Sequence, residues 1–301
     1  MTESGRHAGF VAIIGAPNAG KSTLVNALVG AKISIVTHKV QTTRARVRGI
    51  VMRGKTQVVL VDTPGIFAPR RRLDRAMVEA AWSEAGEADV TALLVDATKP
   101  DSGGDDPILD KLATTGRRRI LVLNKVDKVE KTRLLACVKS INDRVSFERT
   151  FMVSALTGSG VEDLADWLAA AMPAGEWLFP EDQIADAPLR LTAAELTREK
   201  LYLRLHEELP YASTVETTAW KELKDGSVRI EQTIYVERES QRRIVLGHKG
   251  ETIKAISMES RKDIAQVLER PVHLFLFVKV DERWGDSREH YEAMGLDFPK
   301  R

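Results

Sequence analysis

The sequence GAPNAGKST, residues 15–23, determines the fold class that we predict for this chain of 301 residues. Its first eight residues match G-x-x-x-x-G-K-S/T between the apolar run FVAII and a helix-like segment, which is the context of a P-loop. Backbone N–H groups of such a loop surround the α- and β-phosphates of a nucleotide, Lys21 reaches the β- and γ-phosphates, and Ser22 can ligate Mg²⁺. The predicted nucleotide-binding residues of the loop are Gly15, Ala16, Pro17, Asn18, Ala19, Gly20, Lys21, Ser22 and Thr23.

The chain around the loop has the pattern of an α/β protein. From residue 9 to about residue 172, short apolar runs such as TQVVLVD and RRILVLN alternate with amphipathic segments. That alternation is typical of a mostly parallel sheet with helices on both faces, as in P-loop NTPases. We therefore predict a nucleotide-binding domain over residues 8–172.

The pattern changes after residue 172. Prolines at positions 173, 180 and 188, with the polar stretch EDQIADA between them, interrupt both periodicities and predict a linker over residues 173–190. Beyond it, residues 191–208 favour a helix, SVRIEQTIYVE a strand with one wet face, ETIKAISMESRKDIAQVLE a helix, and VHLFLFVKV a buried strand. We predict a small α+β domain over residues 191–285 and a C-terminal tail over residues 286–301.

Composition sets limits on function. The 45 Lys and Arg residues nearly balance the 43 Asp and Glu residues, so nucleic acid can be attracted only by local patches. Cys137 is the one cysteine, which excludes an intramolecular disulfide, and the six His residues show no metal-site spacing. We expect a cytoplasmic protein, because the sequence has neither a secretory leader nor an apolar run of about 18 residues.

Three further motifs each follow an apolar strand-like run. DTPG at 62–65 places Asp62 where a Mg²⁺-holding aspartate stands in P-loop enzymes. In NKVD at 124–127, the carboxylate of Asp127 can accept two hydrogen bonds from N1 and the exocyclic amine of guanine, which adenine cannot supply. VSA at 153–155 can place backbone N–H groups against the guanine oxygen. The predicted nucleotide-binding residues in these motifs are Asp62, Thr63, Pro64, Gly65, Asn124, Lys125, Asp127, Ser154 and Ala155.

The ordered set GAPNAGKS, QTTRA, DTPG, NKVD and VSA resembles the five G motifs of translation-factor-class GTPases. The resemblance implies GTP and GDP as ligands, a Mg²⁺-ligating threonine at Thr42 or Thr43, of which we favour Thr43, and a Gly65 N–H that meets the γ-phosphate. The implied metal ligands are Ser22, Thr43 and Asp62, and the implied catalytic residues are Lys21, Thr43, Gly65 and Asn18.

One residue departs from related GTPases. Ile66 stands where Ras-like enzymes place a water-orienting glutamine, so we expect slow hydrolysis without help. Asn18 carries a side-chain carbonyl that can ligate a monovalent cation, and K⁺ is therefore a predicted cofactor; the alternative is that Asn18 only stabilises the turn of the loop. A protein that binds GTP without turning it over is the competing hypothesis.

A second glycine loop, GHKG at 247–250, lies between an apolar turn (IVL) and a helix with an isoleucine stripe. KH domains use such a GXXG loop to clamp the backbone of four nucleotides. Between residues 238 and 262, seven basic minus three acidic residues give a local charge of +4, which suits phosphates. The predicted RNA-binding residues are Gly247, His248, Lys249, Gly250 and Lys254.

The whole chain, a G domain followed by a KH domain of the type II order, resembles the Era-type family of bacterial ribosome-assembly GTPases. The resemblance implies binding near the 3′ end of 16S rRNA, a role in maturation of the small (30S) ribosomal subunit, and peripheral association with the inner membrane. We also expect a monomer. A related GTPase that acts on another RNA, in tRNA modification or 50S assembly, is the alternative.

Overall fold

The computed structural model describes residues 5–37, 39, 43–44, 47–99, 105–205 and 209–299. The chain forms two compact units. The first unit contains residues 1–34 and 43–186, and the second contains residues 35–42 and 187–301. The predicted boundaries at 172 and 190 stay predictions, because the unit boundary at 186 falls within the proposed linker.

The first unit is built on a seven-stranded sheet. Its strands are β1 (His7–Ile14), β2 (Val47–Arg53), β3 (Thr56–Asp62), β4 (Val90–Asp96), β5 (Arg119–Asn124), β6 (Arg149–Met152) and β7 (Ala185–Asp186). Its helices are α1 (Lys21–Val29), α2 (Arg72–Glu87), α3 (Asp106–Ala113), α4 (Lys131–Asn142) and α5 (Val161–Ala171). The strand order is β6-β5-β4-β1-β3-β2-β7, with parallel pairing from β6 through β3 and antiparallel pairing at β2 and β7. The α/β prediction is confirmed.

Helices cover both faces of this sheet. Along β1, Ile13 faces a core that includes Leu24 of α1 and Leu164 of α5. The next residue, Ile14, faces the opposite core, which includes residues of α2, α3 and α4. Because successive side chains of a strand point to opposite faces, an almost continuous apolar run is what a strand buried on both sides requires.

The strand β2 was not predicted. Its sequence VRGIVMR carries Arg48 and Gly49 near its start and Arg53 at its end, so the apolar run is short. The strand pairs antiparallel with β3 over its whole length. Glycine suits this position, since a Cβ would lie 2.7 Å from side-chain atoms of Val29 and Ile33 and would force them to shift.

The first half of the proposed linker is attached to the first unit. The buried side chain of Gln57 accepts hydrogen bonds from the backbone N–H groups of Leu178, at 2.8 Å, and Phe179, at 3.0 Å. Its amide donates to the Phe179 carbonyl at 2.9 Å. Residues 178–179 therefore behave as part of the folded unit rather than as a free spacer.

The second unit has the α+β architecture. Its helices are α6 (Leu189–Arg204), α7 (Glu239–Leu246), α8 (Glu251–Leu268) and α9 (Arg288–Ala293), and its strands are β8 (Ser213–Glu222), β9 (Val228–Val236) and β10 (Val272–Val280). The sheet order is β10-β9-β8, with β10 parallel and β8 antiparallel to β9. Residues of α6, α7 and α8 pack on one face of this sheet through two apolar clusters. No helix in the described ranges has the length and apolarity needed to cross a membrane.

Three sequence predictions for this unit were wrong in part. The helix predicted over 191–208 is confirmed as α6, but it ends at Arg204, and Leu205 is extended. The apolar residues before GHKG are not a turn but the end of α7, whose first turn is held by Gln241 Oε1 accepting from the Arg238 N–H at 3.0 Å. With Val245 its one buried residue, this helix shows little periodicity. The strand β10 is buried on one face only, with Phe275 and Phe277 exposed.

Candidate nucleotide and RNA sites

The P-loop connects β1 to α1 at the carboxyl edge of the first sheet. Lys21, the first residue of α1, is buried and donates from Nζ to the carbonyls of Gly15 and Ala16, each at 3.0 Å. Burial lowers the pKa of the Lys21 ammonium to about 8, although the nearby Asp62 carboxylate opposes this shift. A phosphate beside this lysine would restore the environment that favours its charged form.

Ser22, Thr43 and Asp62 come together beside the P-loop. The hydroxyls of Ser22 and Thr43 are 2.8 Å apart, and Thr43 Oγ1 donates to Asp62 Oδ2 at 3.3 Å. Burial raises the pKa of the Asp62 carboxyl, and among the described residues its Oδ1 has no hydrogen-bond partner. A buried carboxylate oxygen without a partner fits a hydrated Mg²⁺, which prefers hydroxyl, carboxylate and water oxygens. Thr42, the alternative threonine, lies outside the described residues.

Asn124 connects three of the predicted motifs. Its side-chain Nδ2 donates to the Ala19 carbonyl at 2.8 Å, and its Oδ1 accepts from the Ala155 N–H at 3.0 Å. Asn124 is buried, so these bonds are shielded from water. The residue therefore holds the P-loop, the NKVD turn and the VSA segment in one arrangement.

The two backbone N–H groups predicted to meet a guanine oxygen already have partners in this structure. Ser154 N–H donates to the Ser159 carbonyl at 2.9 Å, and Ala155 N–H donates to Asn124. A base oxygen at Ala155 would have to share that N–H with Asn124. The contact of residues Ser154 and Ala155 with the base stays a prediction.

Lys125 links the NKVD turn to the P-loop. Its Nζ donates to the Asn18 carbonyl at 2.8 Å and lies 2.6 Å from Asp96 Oδ2. Burial of Asp96 favours its neutral form, but hydrogen bonds from Lys125 and Thr98 hold its pKa below the usual range. Sequence analysis missed Asp96, although its position at the carboxyl end of the parallel strand β4 was a usable signal.

Asp127 lies two residues after Lys125, in a short 3-10 turn over residues 126–128. Its side chain is exposed, which leaves the carboxylate open to a purine base. The preceding Lys125 has a positive φ of 65°, an uncommon conformation for a residue other than glycine. We infer that the Lys125 contacts stabilise this turn and so present Asp127.

DTPG approaches the P-loop from β3. The Ile66 N–H donates to the Gly15 carbonyl at 3.1 Å, and a Cβ on Gly65 would press against Pro17 at 3.0 Å. Thr63 Oγ1 donates to the Ile13 carbonyl at 2.7 Å. The Ile66 side chain is 5% exposed and packs into the core shared with Ile14. Ile66 therefore contributes packing and gives no polar atom to a hydrolytic water.

The GHKG loop lies between α7 and α8 in the second unit. Gly247 has φ 75° and ψ 177°, and Gly250 has φ 82°, backbone conformations that side chains disfavour. Between them, His248 and Lys249 are exposed. Lys254, on the first turn of α8, is exposed as well. The loop thus presents bare backbone flanked by cations, as a phosphate clamp requires.

Some of the basic residues around this loop are neutralised and others are not. Arg242 pairs with Glu239 at 3.1 Å, and Glu259 pairs with Arg204. Within the described ranges, no ion pair involves Lys249 or Lys254. Among the described residues Arg238, Arg243, Arg261 and Lys262 likewise form no ion pair, so the unpaired positive charge is distributed along α7 and α8 on both sides of the glycines.

These two sites define the class of the protein: a P-loop GTPase domain followed by an RNA-binding KH domain. Residues 10–125 match the family described as 50S ribosome-binding GTPase, and residues 208–285 match the family described as KH domain. The match to the KH family includes the GHKG loop and the whole of the three-stranded sheet.

Full-length relatives identify the family. The chain is 64% identical over 293 residues to GTPase Era of Mesorhizobium japonicum, covering 97% of this chain and 94% of that protein. It is 63% identical over 291 residues to GTPase Era of Brucella suis, with coverage of 97% and 94%. The chain belongs to the Era GTPase family.

Two solved structures share the fold over nearly the whole length. One is Era in complex with MgGDPNP and nucleotides 1506–1542 of 16S ribosomal RNA, with a TM-score of 0.91, 36% identity and coverage of 96% of this chain and 99% of that one. The other is a single-residue variant of Aquifex aeolicus Era bound to GDP·AlF4⁻, with a TM-score of 0.90, 36% identity and the same coverage.

Proposed function

We propose that this GTPase is a nucleotide-controlled switch that binds the 3′ region of 16S rRNA through its KH domain and assists maturation of the small ribosomal subunit. The observation that carries the proposal is the presence of both sites, the GTP pocket and the GHKG clamp, in one chain of the Era family. A relative of the same fold holds a Mg²⁺–nucleotide complex and a 16S rRNA fragment together. The binding partner of that relative is the reason for choosing 16S rRNA.

The residues of the pocket have separable roles in this proposal. Lys21 and the loop N–H groups hold the phosphates, Asp127 reads the base, and Asn124 fixes both elements. Ser22, Thr43 and Asp62 would hold Mg²⁺, which neutralises the negative charge that builds up on the phosphates. Gly65 offers its N–H to the γ-phosphate. Because the described pocket has no polar side chain at position 66, water must be oriented by backbone groups, ions or a partner.

Single-turnover hydrolysis tests the switch. GTP hydrolysis by the full chain should be slow alone and faster with a single-stranded RNA that copies the 3′ end of 16S rRNA. An RNA of the same length and scrambled sequence is the control. Equal rates with all three samples would remove RNA control from the proposal, whereas acceleration by both RNAs would remove its sequence specificity.

We expect K⁺ to accelerate hydrolysis severalfold over Na⁺ at equal ionic strength. Asn18 is exposed in the P-loop with φ 64° and its backbone carbonyl accepts a hydrogen bond from Lys125, so we propose its side-chain carbonyl as the group that helps to hold a cation. The Asn18→Ala variant should lose the difference between the two ions and still bind GTP, because other groups hold the phosphates.

Two results would contradict the K⁺ proposal. One is equal rates in K⁺ and Na⁺ with and without RNA, and the other is a K⁺ effect that survives in Asn18→Ala. Since asparagine also tolerates positive φ, the Asn18→Gly variant is the control that keeps the turn while removing the ligand.

We expect the double variant His248→Asp, Lys249→Asp to lower RNA affinity by on the order of tenfold at physiological salt. Acidic groups at the exposed clamp would repel phosphates, while the RNA-free rate of GTP hydrolysis should match the parent. Lys131→Asp with Thr132→Asp, at the exposed start of α4, changes the net charge by the same three units and is the matched control. If both double variants weaken RNA binding equally, GHKG acts only through the overall charge.

A second candidate is a role with the large subunit, which the description of the matched G-domain family favours. The structural relative bound to a fragment of 16S rRNA favours the small subunit instead. Peripheral association with the inner membrane is a further proposal that rests on the family resemblance. Cytoplasmic location and a monomeric state are further proposals. Sedimentation of the protein with separated 30S and 50S subunits distinguishes the two ribosomal candidates.

A further inference from the structure

The outer face of β10 carries two exposed phenylalanines. Phe275 is 41% exposed and Phe277 is 53% exposed, whereas Leu274, the residue before Phe275 on the same strand, faces the apolar core. Residues two apart lie on the same face of a strand, about 7 Å from each other. Two aromatic rings therefore stand side by side on a sheet face that is open to solvent at these positions.

Cations flank the two rings. Arg229 lies on β9, directly opposite His273 of β10. Its guanidinium lies 4.4 Å from the centroid of the Phe275 ring, and its side chain is 48% exposed. Its charge is partly neutralised by Glu231 at 2.8 Å. At the other end of the strand, the exposed Lys279 lies 5.8 Å from the centroid of Tyr235. The two rings therefore lie between Arg229 of β9, next to Phe275, and Lys279, two residues beyond Phe277 on β10.

This combination suits single-stranded nucleic acid better than a protein partner. Bases stack on aromatic rings and on guanidinium planes, and nearby cations accept the phosphates. A protein-docking patch would need a broader continuous apolar area. Here the neighbours of the rings on β9 are the polar or charged residues Arg229, Glu231 and Thr233.

The two rings do not belong to the GHKG clamp. The clamp joins α7 and α8, and both helices pack on the inner face of the sheet through Val245, Ile256 and Ile264. Phe275 and Phe277 point away from that layer. The spacing of their rings, two residues apart on one strand, is the spacing used by RNA-recognition-motif sheets to stack successive bases.

We propose that the outer face of the KH sheet, formed by Phe275, Phe277, Arg229 and Lys279, is a second binding surface for single-stranded RNA, on which two bases stack. This surface goes beyond the proposed function, since the clamp alone would suffice for that. It extends the RNA path of the KH domain from the helix layer to the opposite layer of the same unit. Its contacts depend on ring stacking rather than on a particular base.

The test uses the full chain and a fluorescent 20-nucleotide oligouridine. Phe275→Ala with Phe277→Ala should weaken binding about tenfold, and Phe275→Tyr with Phe277→Tyr should keep most of the affinity because tyrosine also stacks. Phe275→Leu with Phe277→Leu should bind as weakly as the alanine variant, since leucine is apolar but not flat. Leu203→Ala, at a position 51% exposed on α6, is the control for loss of an exposed apolar side chain.

A second measurement needs no change at the phenylalanines. Oligouridine containing 4-thiouridine should crosslink to the β10 peptide, and this crosslink should persist in the clamp variant His248→Asp, Lys249→Asp. A crosslink that persists in this variant shows that RNA contacts β10 independently of the clamp. The crosslink would therefore be expected even if GHKG were found not to bind RNA. The inference is overturned if the alanine variant binds oligouridine within twofold of the parent, if leucine restores binding as well as tyrosine, or if no crosslink reaches β10.

Discussion

Replacing Asp127 by asparagine is expected to exchange the preferred nucleotide of this GTPase from GTP to xanthosine triphosphate. In the proposed function, the carboxylate accepts hydrogen bonds from the N1–H and the exocyclic amine of guanine. An amide in its place presents an N–H to that amine, and mispairing a buried donor costs on the order of 1–3 kcal/mol. Xanthine has a carbonyl at that position, so it accepts the new N–H. We expect GTP affinity to fall by about a hundredfold, as measured by competition for a fluorescent GDP analogue.

The exposed position of Asp127 makes the experiment clean. Because the side chain is not part of the core, the variant should unfold at the temperature of the parent. Asp143→Asn, at an exposed position after α4, is the matched control and should leave nucleotide preference unchanged. A variant at Asp127 that binds both nucleotides as the parent does would show that NKVD does not read the base.

Four of the five G motifs could be placed from the sequence because each of them follows a strand, whereas QTTRA lies between α1 and β2. GAPNAGKS comes after β1, Asp62 ends β3, Asn124 ends β5, and VSA follows β6. In a parallel sheet these carboxyl ends lie along one edge, so side chains far apart in sequence meet there. The order of the motifs along the chain was therefore sufficient to predict that Ser22 and Asp62 meet at one site.

Individual contacts within that site could not be predicted. The bridge from Asn124 to both Ala19 and Ala155, and the reach of Lys125 across to Asn18, depend on the distances between loops. The sequence showed that Ile66 cannot orient water, but not that its side chain fills the core. Such contacts follow from packing, which local patterns do not encode.

The exposed rings of β10 show a different limit. In VHLFLFVKV both alternating sets of residues are largely apolar, so the period of two that distinguishes a wet face from a dry face is hidden. Only the arrangement of α6, α7 and α8 on one side of the sheet determines which set is exposed. A strand at the edge of a two-layer domain thus had the sequence of a strand buried on both faces.

The Gly20→Ala variant is expected to lose nucleotide binding by on the order of a hundredfold. Gly20 has φ 99°, a left-handed conformation that costs other residues about 1–2 kcal/mol. In addition, a Cβ at this position would collide with Nδ2 of Asn124. Asn124 would have to move, and its bonds to the Ala19 carbonyl at 2.8 Å and the Ala155 N–H at 3.0 Å would break together. The phosphate loop and the base-reading turn would then lose their common support.

Gly30, at the other end of α1, provides a control that separates strain from collision. It also has a left-handed conformation, with φ 76°, but no atom of the described chain lies within 4 Å of an added Cβ. Gly30→Ala should therefore lower the unfolding temperature by a few degrees and leave GTP affinity unchanged. Titration of both variants with a fluorescent GTP analogue, beside thermal unfolding, measures the difference. If Gly20→Ala binds GTP as tightly as Gly30→Ala at the same loss of stability, the Asn124 bridge does not hold the pocket together, and the backbone strain alone accounts for the need for glycine.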